Sequence, residues 1–189
     1  MSPEGIEQLL NDVRNGRVSI PRAVQRLRTL PFEDLGFASL DHHRSIRQGF
    51  PEVVLCEGKT GKQVVAIARA LLKKGGPFLA TRAEPAVAKA IMKLDRRARY
   101  HEDARIVSVE STRPRRAGHV LILTAGTADV PVAEEARVTA EVMGSRVETL
   151  YDVGVAGLHR LLGRKDRLFE ARVAVVVAGM DGVLPSVVG

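Results

Sequence analysis

The sequence predicts an α/β protein with a parallel, doubly wound, three-layer sheet. Short apolar runs that suit buried strands alternate with amphipathic segments of helical length, an order typical of βαβ units. The clearest unit begins at residues 120–123, whose branched apolar side chains suit a strand buried on both faces. A loop of small residues follows, and Pro131 then stands where a first helical turn accepts proline.

Three predicted strand ends in the C-terminal half carry small and polar residues, at 124–129, 152–160 and 178–186. Ligands of doubly wound sheets bind outside the carboxyl ends of the strands, so these loops together predict a binding site. The first loop also precedes a helix with Glu134 and Glu135 in its opening turns, and a helix N-terminus favours anions. The alternative at this position is an ordinary βα turn without a ligand.

The remaining elements follow from the same patterns. Apolar residues at helical spacing before Pro31 predict two short helices, either a helix-turn-helix or, as we favour, a plain helical hairpin with its arginines in solvent. Further strands are predicted at residues 53–56, 78–81, 105–109, 147–151 and 172–177, and further helices at 62–73, 84–94 and from Pro131 to Met143.

Residues 32–60 show little periodicity before Val53 but are rich in histidine, arginine and acid, as binding loops often are. Two adjacent histidines do not share the i and i+4 spacing of a helical metal site, so a zinc site is not predicted. Gly58, Lys59 and Thr60 suggest a phosphate-binding P-loop. That motif needs a glycine five residues before Gly58, where this chain has Val53, so we reject it.

Composition narrows the class of protein. Hydrophobic residues make up 45% of the 189-residue chain, enough for a folded core, and the single cysteine, Cys56, excludes an internal disulfide. Neither a secretory signal nor an apolar run of membrane-spanning length is present, so we expect a cytoplasmic protein without a membrane partner.

The charge of the chain is unevenly distributed. Residues 1–118 hold 22 Lys and Arg against 13 Asp and Glu, a net +9, whereas residues 119–189 hold 7 against 9, a net −2. A basic half fits phosphates, nucleic acid or a partner subunit. Aromatic residues are only 4% of the chain, which argues against nucleic acid as a partner because few bases could stack.

Three segments of the C-terminal half resemble the PurE family of aminoimidazole ribonucleotide carboxylases and mutases. AGTADVPVAEEA at residues 125–136 resembles the GS-x-SD loop, VAGLHR at 155–160 resembles the SAHR segment, and AGMDGVLPSVVG at 178–189 resembles the AG-x-x-HLPGM segment. The histidine of the last segment is absent here, with Gly182 nearby and Asp181 as an added acid.

The combination of this half with LGFASLDHHRSIRQGFPEVVLCEGKT at residues 35–60 resembles the LarB family of nickel-pincer nucleotide biosynthesis. The resemblance spans residues 36–189 and implies a small α/β domain at 36–117 and a Rossmann-like or flavodoxin-like PurE-type domain at 118–189. The helical hairpin that the residue pattern predicts occupies residues 1–35. We expect the PurE-type domain to be incomplete, because the chain stops at Gly189 just after a strand-to-helix turn.

The resemblance also implies a reaction. LarB-like proteins carboxylate the pyridinium ring of nicotinic acid adenine dinucleotide and hydrolyse its phosphoanhydride, giving pyridinium-3,5-biscarboxylic acid mononucleotide and AMP. A nucleophile must first add to the electron-poor ring, and a thiolate suits reversible addition. The family's cysteine for this step is expected beyond Gly189, whereas Cys56 fits a small buried apolar residue.

Residue roles follow from the matched motifs. Catalytic roles fall to Asp181, His159 and Asp129, and Asp181 is also the candidate ligand of Mg²⁺. Carbon dioxide or bicarbonate is the expected co-substrate, no organic cofactor is expected, and the PurE resemblance implies an octamer-like homo-oligomer. The predicted contacts to the dinucleotide come from Gly126, Thr127, Asp129, Arg160, Asp41, His42, Arg44 and Lys59.

Three other interpretations remain open. A PurE-type carboxylase is disfavoured by the missing histidine. A basic, non-catalytic module that binds nucleotide or nucleic acid would use residues 1–30, and its binding would fall steeply with salt. In the third interpretation, the chain is an inactive fragment of the carboxylase.

Overall fold

The computed structural model describes residues 3–28, 32–42, 44, 48–50, 52–110, 116–180 and 182–189. Contacts divide the chain into two compact units. The first comprises Met1–Arg99 and Val107–Glu110, and the second comprises Tyr100–Ile106 and Ser111–Gly189. The three-domain division expected from the sequence stays a prediction.

The predicted helical hairpin consists of α1 (Pro3–Arg14) and α2 (Ile20–Arg28), which contact each other. Each helix buries a narrow apolar stripe, represented by Leu9 and Ala23, while Leu10 points to solvent. The hairpin therefore has one packed side and a broad polar side.

A β-hairpin follows, although the sequence predicted no strand before Val53. The antiparallel strands β1 (Phe32–Asp34) and β2 (Ser39–Asp41) are joined by a turn in which Gly36 has φ +81° and donates its N–H to Asp34 Oδ1 at 2.7 Å. The prediction of an irregular segment was wrong here because strands of three residues are too short to show alternation.

A four-stranded sheet in the order β3-β4-β6-β5 comes next. Strands β3 and β4 are parallel, as predicted, but β6 runs antiparallel to β4, so this sheet is mixed. The reversal arises because a tight turn, closed by a hydrogen bond from Arg105 N to Glu102 O, replaces a crossover helix before β6. The elements are β3 (Val53–Leu55), α3 (Gly61–Lys73), β4 (Phe78–Thr81), α4 (Pro85–Met92), β5 (Arg99–His101) and β6 (Ile106–Val109).

The second unit contains the predicted parallel sheet, in the order β8-β7-β9. Both neighbours of the central strand β7 run parallel to it. The elements are β7 (Ala117–Thr124), a 3₁₀ turn (Thr127–Asp129), α5 (Val130–Val142), β8 (Ser145–Leu150), a second 3₁₀ turn (Val155–Gly157), α6 (Leu158–Leu162), α7 (Lys165–Glu170), β9 (Val173–Val177) and α8 (Val183–Val188).

This strand order makes the sheet doubly wound. The chain leaves β7 for β8 on one side, then returns past β7 to β9 on the other side, and right-handed crossovers place the connecting helices on opposite faces. Leu121, Ile122 and Leu123 on β7 are fully buried, as a central strand between two helical layers requires. The α/β fold class predicted from the sequence is therefore confirmed.

The longest helices outlined above, α3 and α5, have 13 residues each, about 20 Å, whereas a bilayer crossing needs about 30 Å. No helix within the described segments has the length and apolar character to cross a membrane.

Candidate active site

The loops that follow β7 and β8 are tied together by a buried threonine. Thr124, which ends β7, accepts a hydrogen bond from Asp152 N at its Oγ1 (3.0 Å) and one from Val153 N at its carbonyl oxygen (2.9 Å). The next residue, Ala125, accepts from Gly154 N at 2.9 Å. These bonds hold the β8 loop against the β7 loop, so two of the three predicted site loops are adjacent.

The third loop reaches the same place through Asp129. Ala125 N donates to Val177 O at 3.0 Å, which ties the β7 loop to the end of β9. A Cβ atom added to Gly179 would lie 3.6 Å from Asp129 Oδ1, so the carboxylate faces the β9 loop. The strand order reverses between β7 and β9, and this switch point is where doubly wound sheets bind ligands.

The carboxylate of Asp129 also changes the predicted anion site. Its Oδ2 accepts the N–H of Gly126 at 2.9 Å, so that amide, which we expected to contact phosphate, is already engaged. The amides of Thr127 and Ala128 have no acceptor among the described residues, and both residues are exposed. The donors at the start of α5 are therefore those of Thr127 and Ala128.

Arg160 is held beside this loop cluster by an ion pair. Its Nη1 contacts Oδ2 of Asp152, and both side chains keep substantial exposure, 41% for Arg160 and 51% for Asp152. A Cβ atom added to Gly157 would lie 2.6 Å from Arg160 Nε, so the guanidinium folds over a residue without a side chain. Asp152 has φ +57°, a left-handed conformation that aspartate tolerates better than most residues.

The other two catalytic candidates are His159 and Asp181. His159 is exposed on α6, one residue before Arg160, and its side chain contacts no partner among the described residues. Asp181, the third catalytic candidate and the candidate Mg²⁺ ligand, lies outside the described residues. Its role stays a prediction.

A polar network fixes the end of β8 to α5. Arg137 donates Nε and Nη2 to the two oxygens of Glu134, at 2.9 and 2.7 Å, and Nη1 to Glu141 at 2.8 Å. Tyr151, next to Asp152, donates its hydroxyl to Glu134 Oε1. The Arg137 guanidinium lowers the pKa of Glu134, so this carboxylate stays charged.

Burial and the neighbouring Glu134 carboxylate raise the pKa of Tyr151 to about 12. A raised folded-state value means that the stability contributed by the neutral phenol is complete below the ordinary pKa of about 10 and is lost as pH rises toward 12. We expect Tyr151→Phe to lose about 1 kcal/mol at pH 8 and to show a flatter decline between pH 10 and 12, measured by urea unfolding. Equal declines in both proteins would contradict this.

Four predicted substrate contacts, Asp41, His42, Arg44 and Lys59, belong to the first unit. Asp41 N donates to Glu52 Oε2 at 2.8 Å just before β3, and the buried His42 is hydrogen-bonded through Nε2 to Glu33 Oε2 at 2.9 Å. Lys59 lies beyond the other end of β3. The roles of Asp41 and His42 as substrate contacts stay predictions.

The side chains of Lys59 and Arg44 each form a hydrogen bond with a residue four positions away in the sequence. The ammonium of Lys59 donates to Leu55 O at 2.9 Å, and Arg44 Nε donates to Gln48 Oε1 at 3.0 Å. Lys59 caps the end of β3, and Arg44 contacts a residue four positions later. Neither contact involves a second segment of chain, so their substrate roles stay predictions.

The first unit also has a groove of about 440 Å³ between α3 and α4, lined by Gly61, Lys62, Val65, Ala66, Arg69, Ala86, Val87 and Ala90. Its walls are mostly apolar and carry no acid or histidine. The groove therefore offers no carboxylate or imidazole for acid–base chemistry, and the loops of the second unit remain the candidate active site.

Cys56 is buried at the end of β3, and burial raises the pKa of its thiol, which disfavours the reactive thiolate. No three Cys, His, Asp or Glu side chains cluster as a metal site within the described ranges.

Sequence reasoning missed Asp152 as an individual site residue, along with Thr124 and Tyr151. An acid directly after a predicted strand end was a usable signal for Asp152. The contacts of Thr124 and Tyr151 depend on how β7, β8 and α5 pack, and no sequence signal shows them.

Comparison with known proteins assigns the chain to a family. Residues 32–112 match the LarB/PurE-like N-terminal domain family. Across 195 aligned residues, covering 98% of this chain and 76% of the relative, the chain is 36% identical to Uncharacterized protein MJ0165 of Methanocaldococcus jannaschii. The chain thus belongs to the LarB family of LarB/PurE-like, carboxylase-type proteins.

Proposed function

We propose that this protein acts as a pyridinium-3,5-biscarboxylic acid mononucleotide synthase in nickel-pincer nucleotide biosynthesis. It would carboxylate nicotinic acid adenine dinucleotide at C5 of the pyridinium ring and cleave the phosphoanhydride to release AMP. The observation that carries the proposal is the placement of Asp129 at the switch point, with Arg160 beside the adjoining β8 loop. A carboxylate and a guanidinium at that edge suit an acid–base step on an anionic nucleotide.

The chemistry sets a role for each group. After a nucleophile adds to the pyridinium ring, C5 has enamine character and attacks carbon dioxide. C5 must then lose its proton so that the nucleophile can leave and aromaticity return, and Asp129 is the group we assign to take that proton. Arg160 and the Thr127 and Ala128 amides would hold the anionic groups of the dinucleotide.

The nucleophile is not Cys56 in this proposal. Cys56 is the single cysteine of the 189 residues, it is buried, and its pKa is raised. We expect a thiolate encoded after Gly189 to add to the ring, as the family resemblance implies. Cys56→Ala should therefore leave product formation unchanged.

Mg²⁺ is the expected ion for the phosphoanhydride step, where it would neutralise charge on the phosphates. The described residues fit this ion poorly. Asp129 already accepts a hydrogen bond from Gly126, and Asp152 is paired with Arg160. No group of three Cys, His, Asp or Glu side chains among the described residues could hold a metal ion. We therefore route no step through the metal.

The test compares the 189-residue chain with the same chain extended through the coding sequence that follows Gly189 in frame. Each is incubated with nicotinic acid adenine dinucleotide, Mg²⁺ and isotope-labelled bicarbonate, and mass spectrometry measures labelled dicarboxylated mononucleotide and AMP. We expect product from the extended chain alone. Product from the short chain would return Cys56 as nucleophile, and no product from a folded extended chain would refute the carboxylase function.

A further inference from the structure

Asp152 forms an ion pair with Arg160, the residue whose guanidinium the proposed function assigns to the substrate. Arg160 offers a planar fork of donors, which suits a phosphate or carboxylate with two oxygens. In the structure one of those donors is already taken by an acid of the same chain, eight residues earlier. A ligand anion must therefore compete with Asp152 for Arg160.

Breaking the Asp152–Arg160 ion pair should cost little free energy and should leave the loop in place. Both side chains are about half exposed, and exposed ion pairs contribute little to stability. The backbone of Asp152 is fixed independently, because its N–H bonds to the buried Thr124 and its neighbour Tyr151 is anchored by Glu134. The carboxylate can lose Arg160 without the loop moving.

The absence of a side chain at Gly157 completes the arrangement. The guanidinium atoms lie 2.6–3.0 Å from where a Cβ of residue 157 would be, so Arg160 passes close to the backbone of the loop. Asp152, which receives this contact, has φ +57°, a left-handed backbone conformation. A glycine beside the guanidinium and a left-handed residue at the carboxylate thus accompany this ion pair.

We propose that Asp152 is a specificity-determining residue, an internal anion that occupies Arg160 until a phosphate or carboxylate of the nucleotide displaces it. A neutral group of the same shape, such as a carboxamide, gains too little from Arg160 to displace a carboxylate. This inference rests on the proposed function and identifies the ligand of Arg160 as an anionic group of a pyridine nucleotide.

The test uses Asp152→Asn, because asparagine tolerates a positive φ as aspartate does and keeps the shape of the side chain. Removing the competing charge should tighten equilibrium binding, measured by calorimetry, about three- to fivefold for nicotinic acid adenine dinucleotide, the factor that one exposed ion pair carries. In an Arg160→Gln background the same substitution should bring a much smaller gain. A purely structural role for Asp152 predicts the opposite sign, weaker binding.

Two ligands separate the possible anions. Nicotinic acid mononucleotide carries a phosphate and a carboxylate, whereas nicotinamide mononucleotide carries a phosphate and a neutral amide. Equal tightening of both by Asp152→Asn would assign Arg160 to the phosphate, and tightening of the acid alone would assign it to the carboxylate. Unchanged or weaker binding of both overturns the inference, while a wild-type chain that binds no pyridine nucleotide overturns the proposed function as well.

Discussion

Substitution of Gly154 by alanine is expected to lower the free energy of unfolding by about 1–3 kcal/mol and to abolish nucleotide binding. An alanine Cβ at this position would lie 2.5 Å from the carbonyl oxygen of Ala125 and 3.2 Å from its carbonyl carbon. Ala125 cannot move away without breaking hydrogen bonds, because its oxygen accepts from Gly154 and its nitrogen donates to Val177. Relief of the clash must separate the β7 and β8 loops.

Gly126→Ala is the matched control for this experiment. Gly126 has extended backbone angles, φ −141° and ψ 179°, and its added Cβ would meet nothing closer than Asp129 Oδ2 at 3.9 Å. The Gly126 variant should therefore unfold at the wild-type urea concentration, whereas the Gly154 variant unfolds earlier. Equal stabilities for the two variants would show that the loops are not held as tightly as the hydrogen bonds indicate.

The second unit was predictable because its signals are local. A run of branched apolar residues, a loop of small residues and Pro131 sit within one βα unit, and the helix there begins at Val130. The direction of β6 was not predictable in the same way. It depends on a turn closed by Arg105, a residue with φ +51° that the sequence does not distinguish from any other arginine.

In the candidate site, too, the sequence predicts the features that depend on local signals and not those that depend on tertiary packing. Strand periodicity brought the three loops together in the prediction, because the carboxyl ends of parallel strands share one edge. The side-chain contacts within the loops could not be predicted from the sequence. Arg160 contacts Asp152 because the folded loop brings its guanidinium close to Gly157.

Replacement of Asp129 by asparagine is expected to lower kcat/KM for carboxylation by about 10²- to 10⁴-fold, the range that a general base contributes. Asparagine can keep the structural contact, because its carbonyl oxygen can accept the Gly126 N–H as Oδ2 of Asp129 now does at 2.9 Å. Its amide nitrogen cannot take a proton from C5. The extended chain with the labelled-bicarbonate assay measures the rate, and urea unfolding measures stability.

Asp129→Ala separates the two functions of this carboxylate. Alanine leaves Gly126 N–H without its acceptor, so this variant should lose stability by about 1 kcal/mol in addition to activity. The asparagine variant should lose activity while its unfolding curve stays within about 0.5 kcal/mol of the wild type. An asparagine variant that retains full activity would mean that Asp129 only shapes the loop, and the base that accepts the ring proton would have to be sought elsewhere, with the exposed His159 as the next candidate.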